Sequence, residues 1–382
     1  MRHRHVWRLH RLGGHFSVGP PQGRKSIQRI QHVGRRRSMK ALVWEAPREM
    51  RIREQDVPRP GPGETLIKVD YVGICGSELS GYLGHNALRV PPLVMGHEFA
   101  GTVAEVGLTV SNSEPTLSTG DAVTVNPLYC TGESELQERG LDQLCPTRQL
   151  IGAHVPGAYA EFVIVPTRTV HPLPAGMSTR VGALTEPVGC GVRIGELAGN
   201  VHDATCLIVG MGPIGLLALQ VLLRSGAKDV VVADLDAERL AMGERYGGIP
   251  IDPAERDPVE EVLNRTDGAG AVASVDAVGT GRTRTQCVAG TMTTGTVILS
   301  GLHEETSEIP AADIIRREIT LRGSFSYSPA NFREALVLLN QEEISLEPWI
   351  VEAPLADGGK WFDRLIDAPG DVSKVLLVPE SQ

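Results

Sequence analysis

Residues 205–236 read TCLIVGMGPIGLLALQVLLRSGAKDVVVADLD. A short apolar run, TCLIVG, leads into MGPIGLLALQVLLRSG, which has the length and apolar face of a helix. A second β-like run, DVVVADLD (229–236), follows. Strand-like and helical runs keep alternating downstream, through AERLAMGERYG, ASVDAVG (273–279), GTVILSG (295–301) and EITLRGS (318–324). This pattern predicts βαβ units in a doubly wound parallel sheet.

Gly210, Gly212 and Gly215 spell G-x-G-x-x-G. Alone the pattern is weak, but here it joins an apolar strand to a helix, the context it requires for dinucleotide binding. The first glycine permits the tight turn, the second lets a pyrophosphate approach the backbone, and the third lets helix and strand pack closely. The helix opening at Pro213 and Ile214 offers free N–H groups and the positive end of its dipole to phosphate. Asp234 ends the next strand and would accept hydrogen bonds from the adenosine ribose while repelling a 2′-phosphate. No arginine follows it directly, so NAD is expected rather than NADP. The bland reading of Asp234 is a loop or helix cap.

Upstream the texture is different. ALVW (41–44), TLIKVDYVGI (65–74), AGTVAEVG (100–107), DAVTV (121–125) and YAEFVIVP (159–166) are short β-like segments between Gly/Pro clusters. They predict a β-rich, barrel-like domain. At the far end a helix, NFREALVLLN from Asn331, precedes KVLLVP, again β-like. The expected organisation is therefore an extension (1–38), a β-rich domain (39–190), a dinucleotide-binding domain (191–328) and a C-terminal return to the first domain (329–382).

Charge is unevenly spread over the 382 residues. Residues 1–38 hold ten Lys/Arg, five His and no acid, while the remainder carries 27 Lys/Arg against 46 Asp/Glu, a balance of −19. So acidic a body excludes nucleic acid and anionic membrane as expected partners. No apolar run approaches the roughly 18 residues a membrane span needs. The basic leader is compatible with a disordered arm or an organelle transit sequence. The simpler expectation is an extension outside the fold, with Met39 as the start. Six cysteines at irregular spacings do not form a secreted disulfide framework, so a reduced cytoplasmic enzyme is expected.

Cys75 in GICGSEL and His97 in VMGHEFAG are both good zinc ligands, though their spacing proves little alone. Glu186 in LTEPVGCG offers a third, and three ligands with one open position describe a catalytic zinc. In order, GICGSEL, GHEFAGTVAEVG, GDAV, GAYAEF, TEPV, GMGPIG with VVVADLD, and LRGSFSYS resemble the zinc-containing medium-chain dehydrogenases over about residues 39–379. The polyol branch, which includes sorbitol and galactitol-1-phosphate dehydrogenases, is the most similar.

The resemblance implies a GroES-like catalytic domain joined to a Rossmann domain, and an enzyme that passes a hydride between a secondary alcohol or polyol and NAD. It assigns Cys75 and His97 as zinc ligands, Glu98 as a neighbouring acid able to bind the metal, and Glu186 as a ligand, direct or through water. Ser77 matches the hydroxyl residue that starts the proton relay. Glu78 stands where the family has Asp, the acid that orients the metal-bound histidine, which puts that geometry in question. Cys190 competes with Glu186. Phe325 and Tyr327 match positions near the nicotinamide or pocket, with core packing an equal explanation, and Ser326 replaces an arginine of the sorbitol enzymes. The loop 80–92, with Tyr82, His85, Asn86 and Arg89, is expected to line the pocket. The family is homodimeric or homotetrameric. A zinc-free quinone reductase of the same fold and a non-catalytic dinucleotide-binding protein are the alternatives.

The stretch YCTGESELQERGLDQLCP (129–146) occupies the place of the family's second, structural zinc lobe. Counted back from Cys145, the other ligand positions fall near Thr131, Ser134 and Gln137, and Cys130 misses the first by one. Glu133, Glu135 or Glu138 could stand in only for a weak site. One zinc per chain, the catalytic one, is expected.

Overall fold

In a computed structural model that describes residues 37–111 and 114–379, six parallel strands make one sheet. Their spatial order is Ile249–Ile251, Asp229–Ala233, Thr205–Val209, Ala271–Asp276, Thr291–Leu299, Thr320–Gly323. The direction of strand addition reverses between Thr205–Val209 and Ala271–Asp276, which opens a crevice at their carboxyl ends. Gly210 stands at that point. Thr205–Val209 is buried throughout because helices cover both faces. Cys206 and Ile208 pack with Leu217 and Leu222 on one side, whereas Leu207 and Val209 pack with Val262 and Val288 on the other. This is the two-residue alternation of a strand.

A second, seven-stranded sheet runs Val170–Pro172, Ala122–Val125, Glu98–Val106, Glu64–Gly73, Lys374–Val378, Ile350–Pro354, with Phe162–Pro166 also paired to Glu64–Gly73. Glu49–Asp56, Ser38–Ala46 and Leu93–Val94 form a small third sheet. Trp44, Phe99, Tyr159 and Phe362 fill the core between them. The C-terminal strand pairs Leu376 with Gly73, bringing Lys374 beside Ile74 and Glu98.

Two boundaries differ from the sequence reading. Ser38, assigned to the leader, belongs to the sheet and pairs with Asp56, and Arg37 before it lies 4.8 Å over the Phe162 ring. The rest of the leader lies outside the described residues. The strand expected at 100–107 starts at Glu98, so that acid is a sheet residue directly after His97. No helix among the described residues is long and apolar enough to cross a membrane.

Candidate metal centre and cofactor cleft

Cys75 caps the short helix Gly76–Tyr82, and its backbone N–H donates to Glu78 Oε2 at 3.2 Å. Glu78 thus turns back under the loop, where Oε1 accepts from Gly96 N–H at 2.8 Å and meets His97 Nδ1 at 2.8 Å. The Tyr159 hydroxyl donates to Glu78 Oε2 as well. The added methylene is therefore accommodated, and the acid reaches the histidine. Burial pushes the Glu78 pKa up, but His97 and the hydrogen bonds outweigh it and bring it down to about 2. Burial opposes charge on His97, yet Glu78 and Cys75 raise its pKa well above the ordinary value. With Nδ1 committed to Glu78, Nε2 is the nitrogen left for a metal.

Cys75, His97 and Glu98 bring one ligand atom each to within 4.8 Å of one another, the one such grouping of three among the described residues. Glu98 fits because residue 73, its cross-strand partner, is glycine: a Cβ there would lie 2.3 Å from Glu98 Oε2. Lys374 Nζ donates to both Glu98 oxygens at 2.9 and 2.7 Å and to Ile74 O at 3.2 Å. Sequence reasoning passed over Lys374, since a lone lysine at the start of KVLLVP carries no local signal.

Glu186 lies outside that close grouping. It sits in the first turn of helix Thr185–Ala198, buried, with no ion pair to a basic side chain among the described residues. Burial pushes its pKa up to about 7, with His97 lowering it and Glu98 raising it, so it shares the electrostatic space of those two side chains. Cys190 is one turn further along, and burial with Glu186 nearby pushes its thiol well above the usual range. The Tyr327 hydroxyl is buried with no well-formed hydrogen bond among the described residues, but it faces Glu186 closely enough to lower that acid's pKa. Its ring lies against Gly189, where a Cβ would come within 3.0 Å.

Ser77 is exposed and donates its hydroxyl to Cys75 Sγ at 3.4 Å. The loop 80–92 divides differently from expectation. Tyr82 is 1% exposed and packs on Phe362 with its hydroxyl on Asp363, so it belongs to the core. Arg89 alone of that set turns inward onto Ser77. Phe325 is half exposed, with the Arg148 guanidinium 5.1 Å over its ring.

In the cofactor cleft each glycine has its own reason. Gly210 adopts φ +100°, open to glycine and costly for other residues. A Cβ on Gly215 would lie 1.9 Å from Gly210 O, so helix and strand could not close. A Cβ on Gly212 would meet nothing within 4 Å, leaving its backbone bare to a ligand. Pro213 opens the helix and Ile214 is half buried against it. Asp234 accepts from Met211 N–H at 2.7 Å and Asp236 N–H at 3.0 Å, so it braces the glycine loop while its oxygens keep lone pairs for further donors.

In the lobe after Leu128, Cys130 and Cys145 are both buried and free. Cys130 Sγ contacts Asp142 O at 3.7 Å and Cys145 Sγ contacts Thr147 Oγ1 at 3.4 Å.

A β-rich domain presenting Cys75, His97 and Glu98, joined to a dinucleotide-type parallel sheet, is the architecture of an alcohol-oxidising dehydrogenase. Residues 61–175 match the alcohol dehydrogenase GroES-like domain, and residues 213–341 match the zinc-binding dehydrogenase domain. The chain is 30% identical to the (R,R)-butanediol dehydrogenase of Bacillus subtilis over 89% of its own length and 100% of that protein's. It is 32% identical to the sorbitol dehydrogenase of Halalkalibacterium halodurans, covering 89% and 99%. A zinc-binding dehydrogenase of Sinorhizobium meliloti 1021 bound to NADP superposes with a TM-score of 0.83 at 29% identity, covering 90% and 100%. The chain belongs to the zinc-type medium-chain alcohol dehydrogenase family, and it is an oxidoreductase of that class.

Proposed function

We propose that this chain is a zinc- and NAD-dependent dehydrogenase of secondary alcohols in the polyol and diol class, interconverting CH–OH and ketone. The observation that carries the reading is the convergence of Cys75, His97 and Glu98 ligand atoms within 4.8 Å. The donor set fits zinc: a thiol, an imidazole whose other nitrogen is anchored by a carboxylate, and buried acids. Cys75, His97 and Glu186 would hold the ion. Glu98 already spends its charge on Lys374, whereas Glu186 has no ion pair with a basic side chain among the described residues.

When bound, zinc would supply Lewis-acid polarisation of the substrate hydroxyl, and NAD a hydride acceptor. Ser77, adjacent to Cys75 and exposed, takes the hydroxyl proton and passes it towards solvent. Glu78 holds His97 in one tautomer and orientation. Gly210, Gly212 and Gly215 seat the pyrophosphate, Asp234 takes the adenosine ribose, and Phe325 covers the nicotinamide side of the pocket. The cofactor preference rests on Asp234, which stands against the NADP of the S. meliloti protein.

Zinc analysis of purified protein, with NADH formation followed over sugar alcohols, vicinal diols and threonine, tests the reading. Turnover by zinc-free protein would overturn it in favour of a quinone reductase-like enzyme. Exclusive use of monohydric alcohols would overturn the polyol assignment.

A further inference from the structure

Two Lys/Arg side chains are buried among the described residues, Lys374 and Arg89, each 3% exposed. Lys374 has its counter-charge in Glu98. Arg89 has none within ion-pair distance among the described residues. Two of its five N–H groups are used, Nη1 on Ser77 O at 3.2 Å and Nη2 on Ser77 Oγ at 3.3 Å. Its Nε–H is buried with no acceptor. Glu78 is the nearby acid, but its oxygens already take Cys75 N–H, Gly96 N–H, His97 and Tyr159. An unpaired guanidinium held out of water is costly, and a fold retains it only against some return.

The placement is built. Residue 81 is glycine, and a Cβ there would lie 2.7 Å from Arg89 Cδ, so the helix makes room for the stem. Through Ser77 Oγ, which is 3.4 Å from Cys75 Sγ, the guanidinium stands one hydrogen bond from the hydroxyl that meets the substrate. Further positive charge gathers on the same side. Arg148 hydrogen-bonds Cys145 O at 3.3 Å, lies over Phe325, and likewise lacks a carboxylate partner among the described residues. His154 Nδ1 accepts Leu150 N–H at 2.9 Å, which leaves its Nε2 as a donor. Burial, then Arg148 and Arg89, depress the His154 pKa, so all three share one field. In a body whose balance is −19, two arginines without an ion pair among the described residues run against the prevailing charge, and His154, its pKa lowered, adds an uncharged donor.

We propose that the alcohol taken by this pocket carries an oxyanion, a carboxylate or a phosphate, within a few bonds of the carbinol, and that Arg89 receives it with Arg148 and His154 behind. A guanidinium suits this task because its planar donors match carboxylate and phosphate oxygens. Arg89 is thereby a specificity-determining residue. The inference rests on the dehydrogenase reading and narrows its substrate class.

The test uses the full chain with zinc and NAD, and matched sets built on one skeleton: a neutral polyol, its hydroxy acid and its phosphate ester. The expected result is a kcat/KM at least tenfold higher for one acidic form than for the neutral one. That preference should fall at least tenfold in Arg89→Gln and severalfold in Arg148→Gln. Inorganic phosphate and malonate, titrated onto metal-free protein by calorimetry, give a readout independent of turnover. Wild type should bind the anion matching the preferred acid, and Arg89→Gln should not. Should Arg89→Gln fail to fold, Arg89→Lys and Arg148→Gln carry the same comparison. Neutral substrates used as well as acidic ones, or anion binding untouched by the arginine changes, would overturn the inference and leave the dehydrogenase reading standing. Zinc-loaded protein that oxidises neither kind of alcohol would overturn that reading itself.

Discussion

His97 aims Nδ1 at Glu78 Oε1 across 2.8 Å, and the two side chains are 5% and 0% exposed. Glu78→Gln removes the charge and leaves the amides of Cys75 and Gly96 competing for one oxygen. Zinc affinity should fall about 10–100-fold, read by competition with a chromogenic chelator. Glu78→Asp should fall between, because the loop is built around the longer side chain.

The same acid makes a pH prediction. Its pKa drops from 4.5 in the free residue to about 2 in the fold. On acidification the unfolded chain takes up this proton first, so the stabilisation is complete above about 4.5 and disappears as pH falls towards 2. Acid unfolding followed by circular dichroism should show a wild-type advantage over Glu78→Gln that shrinks across that interval.

Lys374→Met should leave Glu98 buried and unpaired and destabilise the protein by about 3–5 kcal/mol. Denaturant unfolding of the double variant Glu98→Gln/Lys374→Met should recover part of the loss. A double variant as unstable as the sum of the two singles would show that the pair does not act as one unit.

Gly212→Ala and Gly215→Ala separate two roles within one motif. The first has open space for its methyl, so the chain should fold normally while NADH binding, measured by fluorescence, weakens at least tenfold. The second would drive a methyl into Gly210 O and should lower the melting temperature as well.

Asp234→Ser should shift the ratio of kcat/KM for NAD over NADP towards NADP by tenfold or more. Removing its bonds to Met211 and Asp236 should also cost some thermal stability.

Zinc content should be one per chain in wild type and in Cys130→Ser, and near zero in Cys75→Ser. Dialysis against a strong chelator should abolish turnover, and added zinc should restore it. A second zinc lost with Cys130 would reassign the lobe.

The parallel sheet was legible because its signal is local: an apolar run, three glycines at fixed offsets and a helix follow one another within twenty residues. Cys75 and His97 stood out through their flanking motifs. Strand Glu49–Asp56 did not, since EMRIREQD is mostly exposed and owes its conformation to pairing with Ser38–Ala46. The partners that tune the site were hidden for a different reason. Tyr159 reaches Glu78 from 81 residues away, and Lys374 reaches Glu98 from 276. Nothing near either residue in the chain announces such a meeting. Arg89 was visible as a polar loop residue, but its burial without an ion pair among the described residues is a property of three dimensions.

The strand Lys374–Val378 lies between Glu64–Gly73 and Ile350–Pro354 and delivers Lys374 to the metal-ligand cluster. During synthesis, Cys75, His97 and Glu186 emerge from the ribosome long before this strand exists. Glu98 then lacks its ion-pair partner, and the sheet that frames it lacks an inner strand. A finished pocket has to wait for the tail, so the buried acid Glu98 meets its counter-charge only at the end of synthesis. A nascent chain arrested before Lys374 would be all but complete in length and still leave Glu98 without the ion pair that the full fold gives it.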